Sequence, residues 1–115
     1  MIGIDIISIS RIEKSIAKFG DKAKNRFMTP NEQQIHIKTS SIAGIWAAKE
    51  AFSKAIGSGI GKEFSFLDIE IIKNTKGKPI INILNNNLKQ KLSNKQIDIS
   101  ITHDGGFAIA AIIIL

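Results

Sequence analysis

Cysteine is absent from this 115-residue chain, so disulfides and thiolate metal sites are excluded. A bound metal must use oxygen ligands or one of only two histidines, His36 and His103. Tyrosine is also absent and aromatic residues make up 6%, with no stacking motif of the kind that reads single-stranded nucleic acid. Only two prolines occur, and no linker, internal repeat or low-complexity stretch breaks the chain, which reads as one domain over residues 1–115. Long apolar runs are missing too. The longest, Phe107 to Leu115, is far short of the ~20 residues a membrane helix needs. The start, Met1-Ile2-Gly3-Ile4-Asp5, has no basic segment leading into an apolar one, so no signal peptide is visible. A cytoplasmic protein acting without membrane or nucleic acid is expected.

Acidic residues are outnumbered: 16 Lys plus Arg face 10 Asp plus Glu, a formal charge of +6. Such a surface favours anionic partners, whether nucleic acid, lipid, a phosphorylated small molecule or an acidic protein. Hydrophobic content of 43% supplies an ordinary core.

Residues 2–7 are apolar and β-branched except for Gly3 and Asp5, and read as a buried strand. Ser10 can cap a helix to about Phe19, with Ile12, Ile16 and Phe19 on its apolar side and Gly20 as its stop. Thr29-Pro30-Asn31-Glu32 has the form of a capping box that opens a further helix. Ser40 or Ser41 begins a longer helix to about Ile56, with an apolar stripe of Ile42, Ile45, Trp46, Phe52 and Ile56. The small residues Ala43, Gly44, Ala47, Ala48 and Ala51 allow another element to come close. Residues 68–74 and 80–84 read as a hairpin, 85–93 as a short helix, and 97–103 with 106–114 as a second hairpin around Asp104-Gly105-Gly106. The expected fold is α+β: one long central helix packed on a mainly antiparallel sheet.

Two carboxylates stand out. Asp5 lies in an apolar strand, where a charge needs a partner or a metal, unless it faces solvent at the strand end or caps the next element. Glu50 is mid-helix, four residues before Lys54, a spacing that also suits a surface ion pair. Ala43 and Ala47 share nearly the same face, which suits a covered site better than a solvated one. Gly57-Ser58-Gly59-Ile60-Gly61 follows a helix rather than opening one, so it is not a Walker or dinucleotide loop. It reads either as a cap and connector or as a place for close phosphate approach. His103 ends a strand, and His36 carries no functional reading.

Taken in order, these segments resemble the holo-acyl-carrier-protein synthase family, the bacterial 4′-phosphopantetheinyl transferases of fatty-acid synthesis. The residues that carry the resemblance are Gly3-Ile4-Asp5-Ile6, Arg11-Ile12, the block Trp46-Ala47-Ala48-Lys49-Glu50-Ala51-Phe52-Ser53-Lys54-Ala55, Gly57 to Gly61, Phe66, Asp68 to Ile71, Gly77-Lys78-Pro79 and Ser100 to His103. The resemblance implies transfer of phosphopantetheine from coenzyme A to a serine of apo acyl carrier protein. It implies Asp5 and Glu50 as magnesium ligands, Glu50 or a water it orients as the base, and Lys54 on a phosphate. Gly57, Ser58, Gly59 and Gly61 are expected against the nucleotide. His103 is expected near the coenzyme A phosphates from a neighbouring subunit of a homotrimer. Arg11, Lys18, Lys22 and Arg26, with Lys14, are expected to dock the acidic carrier. One position departs from the pattern: many relatives carry arginine where this chain has Ile45. A phosphate-ester hydrolase and a small basic nucleic-acid-binding module are the competing readings.

Overall fold

The computed structural model describes residues 1–115. A strand β1 (Ile2–Ser8) leads into helices α1 (Ile9–Phe19), α2 (Asp21–Phe27), α3 (Pro30–Ile35) and α4 (Thr39–Ile56). A 3-10 turn (Phe66–Asp68) precedes β2 (Ile69–Lys73) and β3 (Pro79–Ile83). Helix α5 (Asn86–Lys91), β4 (Ile97–Asp104) and β5 (Phe107–Ile114) complete the chain. The α+β architecture is the expected one, but the strands form two sheets. One has the order β1-β5-β4 and the other is the β2-β3 hairpin; all pairings are antiparallel.

Helix α4 lies across the inner face of the larger sheet, and the small residues explain how. Ala43, Ala47, Ala48 and Ala51 on the helix and Ala108 and Ala110 on β5 are fully buried. At Gly3 a Cβ would fall 1.8 Å from the carbonyl oxygen of Ala51, so β1 and α4 meet backbone to backbone. Gly57 ends α4 in the left-handed region at φ 84°, where its N–H reaches the carbonyls of Ser53 and Lys54.

Several expectations need correction. Strand β1 is buried on one face only: Ile2, Ile4 and Ile6 are 73%, 62% and 57% exposed. Alternation sends Gly3 and Ile7 toward α4, and no element of the chain covers the other face. Phe107 and Ile113 of β5 extend that exposed apolar surface, since cross-strand partners share a face. Helix α1 starts at Ile9 after Ser8, and α4 at Thr39 after Lys38; neither has a side-chain cap. Phe19 is exposed beside Lys18 rather than in the core. Helix α2 was not foreseen; its signal is the i, i+4 pair Ala23 and Phe27, both buried. The capping box at Thr29 and Glu32 forms as expected.

Candidate active site

Asp5 sits at the middle of β1, opposite Ala110 of β5, and Glu50 lies on α4 where the helix crosses that strand. The close backbone contact at Gly3 and Ala51 brings the two carboxylates together. Burial pushes the Glu50 carboxyl above its ordinary range, and the negative charge of Asp5 pushes it further. Lys54 and Arg11 act in the opposite direction. The expected alternative, a surface pair between Glu50 and Lys54, does not form. Lys54 reaches over to β1, with Nζ 2.9 Å from Asp5 Oδ1 and 3.2 Å from the Ile4 carbonyl. A cavity of about 410 Å³ opens there, lined by Ile4, Asp5, Ile6, Lys54 and Ile109.

No group of three or more histidine, aspartate or glutamate side chains gathers in this chain. The candidate cation site is therefore a pair of hard carboxylates that repel one another. That donor set fits a small divalent ion whose remaining ligands come from water and substrate oxygens, the usual habit of magnesium.

The other candidate residues are distributed as follows. Arg11 and Arg26 are exposed and rim one cleft of about 220 Å³ between α1 and α2, floored by Ile12, Phe27 and Trp46. Lys14, Lys18 and Lys22 are exposed nearby on the same two helices. In the glycine loop, the N–H groups of Gly57, Gly59 and Gly61 are bonded to Ser53 (and, for Gly57, Lys54) and Phe64 carbonyls. Three glycines leave the loop sparse in side chains, Ile60 packing against the core, with those three donors already spent. The Ser58 hydroxyl donates to the Gly59 carbonyl.

His103 lines a separate cavity with His36, Ser40, Ser41, Ile45 and Lys73, so one copy of the chain does not bring it to Asp5 and Glu50. Ile45, the position that departs from the resemblance, is buried at the edge of that cavity and supplies no charge there.

Sequence reasoning missed the support behind Glu50. Lys49 and Glu32 are both 0% exposed and pair at 2.7 Å. The Lys49 ammonium also donates to the carbonyls of Phe27 and Phe66, at 2.7 and 2.8 Å. Glu32 in turn accepts from the N–H groups of Thr29 and Ile71. This network ties α2, α3, the 3-10 turn and β2 to α4, one residue from Glu50. Burial pulls the Lys49 ammonium below the ordinary lysine range, against the pull of Glu32. The signal was present: Lys49 falls on the apolar stripe, between Ile45 and Phe52. His36, given no role, is buried and its Nε2–H donates to the Ile71 carbonyl at 2.8 Å, which pins α3 to β2. Burial also lowers its basicity, an effect the Ile71 carbonyl opposes.

A carboxylate pair beneath a small-residue helix, with a lysine one turn on, is the candidate site of this fold, and comparison with known proteins gives its family. The chain belongs to the 4′-phosphopantetheinyl transferase superfamily, whose model matches residues 1–112. The holo-acyl-carrier-protein synthase of Nautilia profundicola is 58% identical over 115 residues, covering 100% of this chain and 99% of that protein. That of Campylobacter hominis is 52% identical, covering 99% and 96%. Among solved structures, the Helicobacter pylori holo-acyl-carrier-protein synthase in complex with coenzyme A superposes with a TM-score of 0.90 at 50% identity, covering all of both chains. A Bacillus anthracis holo-acyl-carrier-protein synthase gives 0.82 at 42% identity, covering 98% of this chain and 93% of that one. Within the superfamily the chain is a transferase of the holo-acyl-carrier-protein synthase type.

Proposed function

We propose that this chain moves the 4′-phosphopantetheine group of coenzyme A onto a serine of apo acyl carrier protein, in the cytoplasm and in the service of fatty-acid synthesis. The observation that carries the reading is the meeting of Asp5 and Glu50 with Lys54 at one end of α4. The serine oxygen forms a new bond to the phosphorus that bears pantetheine. The bond from that phosphorus to the nucleotide oxygen breaks, and adenosine 3′,5′-bisphosphate leaves. Asp5 and Glu50 would hold magnesium, which when bound supplies charge neutralisation at the pyrophosphate. Glu50, directly or through a water it orients, takes the serine proton. Lys54 neutralises the departing bisphosphate.

The exposed basic side chains of α1 and α2, led by Arg11 and supported by Lys18, Lys22 and Arg26, suit an acidic carrier, and such rim contacts act mainly on association rate. The glycine loop from Gly57 to Gly61 offers its open surface to the nucleotide. The uncovered apolar face of Ile2, Ile4, Ile6 and Phe107 favours assembly with further copies, here a homotrimer. In that assembly His103 of one copy serves the carboxylate pair of the next, which accounts for its cavity standing apart.

The test is direct. The purified chain is incubated with coenzyme A, magnesium and apo carrier protein, and the carrier is weighed by mass spectrometry. A phosphopantetheine mass gain is expected, lost in Asp5→Ala and Glu50→Ala with the fold retained. No gain with well-folded protein and a competent carrier overturns the reading.

A further inference from the structure

The Lys54 side chain does something the transfer reaction does not ask of it. Its ammonium touches two oxygens of β1, Asp5 Oδ1 at 2.9 Å and the Ile4 carbonyl at 3.2 Å. Those are hard oxygens, one of them charged, and the ammonium holds them as a bound cation would. Lys54 stands one helical turn beyond Glu50, at i+4, yet it makes no salt bridge with Glu50 and pairs with Asp5 instead. The two partners are unequal. The Asp5 side chain is 15% exposed in a strand, whereas the Lys54 side chain is 53% exposed at the helix surface.

We propose that Lys54 is a place-holder, its ammonium standing in the cation position beside Asp5 until a divalent ion displaces it. The inference rests on the reading of Asp5 and Glu50 as a metal site and adds an order of events to it. Asp5 and Glu50 repel one another, and the Lys54 ammonium, bonded to Asp5, supplies an opposing positive charge. The lysine end of the pair is open to solvent, which weakens it, so the ammonium yields to a doubly charged ion. Once displaced it remains anchored one turn from Glu50, with its charge released toward the cavity that opens beside Asp5. Metal loading thereby frees the same lysine to receive a phosphate, so the ion binds before the lysine engages the substrate.

The test is Mn2+ binding to the full chain without coenzyme A, followed by loss of the free-ion signal in electron paramagnetic resonance. Lys54→Met removes the place-holder without offering a new donor. Arg11→Met removes the other cation that acts on Glu50 and reports the general effect of lost charge. Lys54→Met is expected to tighten Mn2+ binding about fivefold, which is about 1 kcal/mol and the upper end for an exposed ion pair. Arg11→Met should change it by less than about twofold, as a charge not in contact with Asp5 does in high dielectric. Asp5→Asn should weaken binding in either background. Equal tightening by Lys54→Met and Arg11→Met, or weaker binding in Lys54→Met, overturns the place-holder while leaving the metal site intact. Absence of binding in the wild-type chain and in Lys54→Met overturns both. Thermal melts of each variant confirm that the exposed substitutions leave the fold unchanged.

Discussion

Replacing Lys49 by methionine isolates the network behind the site. Methionine keeps much of the length of the side chain and removes its charge. Glu32 would keep the N–H groups of Thr29 and Ile71 but lose its only cationic partner, in a place with no solvent access. The carbonyls of Phe27 and Phe66 would each lose a donor. Breaking a buried pair from one side costs about 3–5 kcal/mol, a large part of the roughly 5–15 kcal/mol that holds a domain together. For a chain of this size the unfolding temperature should fall by about 10–20 °C. Urea denaturation of Lys49→Met, Glu32→Gln and the double variant, assembled as a cycle, measures the coupling. The double variant should recover about 1–2 kcal/mol relative to Lys49→Met, because no unpaired charge then remains buried. A loss below about 1 kcal/mol in Lys49→Met, the range of an exposed pair, would refute the reasoning.

Three further outcomes are expected. Gly3→Ala places a methyl 1.8 Å from the Ala51 carbonyl oxygen, which no rotamer can relieve. Its cost should reach the top of the usual ~1–3 kcal/mol for overpacking, and transfer should fall with it; unchanged urea midpoint and activity would contradict the backbone contact. Folding raises the Glu50 carboxyl above its ordinary value, so ionised Glu50 weakens the metal-free fold as pH rises through the folded value, and below the unfolded value the difference vanishes. Glu50→Gln should therefore be more stable than wild type at pH 8 in chelator, with the gap closing as pH falls below the ordinary carboxylate range; a constant gap across urea melts would count against the assignment. Arg11→Ala should raise the KM for the carrier several-fold at low salt, less at high salt, and change that for coenzyme A little; the reverse split would remove Arg11 from docking.

The parts of this fold that follow from local chemistry were legible in the sequence. Thr29, Pro30 and Glu32 announced a helix start, and Gly57 a helix stop, because capping is decided within a few residues. The run of small residues from Ala43 to Ala51 announced a close neighbour without saying which strand it was. What covers a second face is a tertiary matter, so the open side of β1 could not be read from Ile2, Ile4 and Ile6, which look the same buried or bare. The candidate site divided in the same way. Asp5 and Glu50 were found as anomalies in apolar or small-residue surroundings. The contact of Lys54 with Asp5 was not legible, because spacing along one helix cannot reveal a carboxylate arriving from another element. Lys49 was passed over because a charge beside a charge looks solvated, although its place on the apolar stripe between Ile45 and Phe52 was on view.

The contact between Gly3 and Ala51 bears on how the site behaves under stress. Where side chains separate two elements, their rotamers act as springs, and the gap widens or narrows with temperature and pressure. Here main chain meets main chain, and nothing rotatable lies between the strand that carries Asp5 and the helix turn that carries Glu50. The spacing of the two carboxylates should accordingly be among the least compressible and least thermally expandable dimensions of the molecule. Softening of α5, which shares no sheet with β1, would leave that spacing unaltered until α4 itself lifts from the sheet.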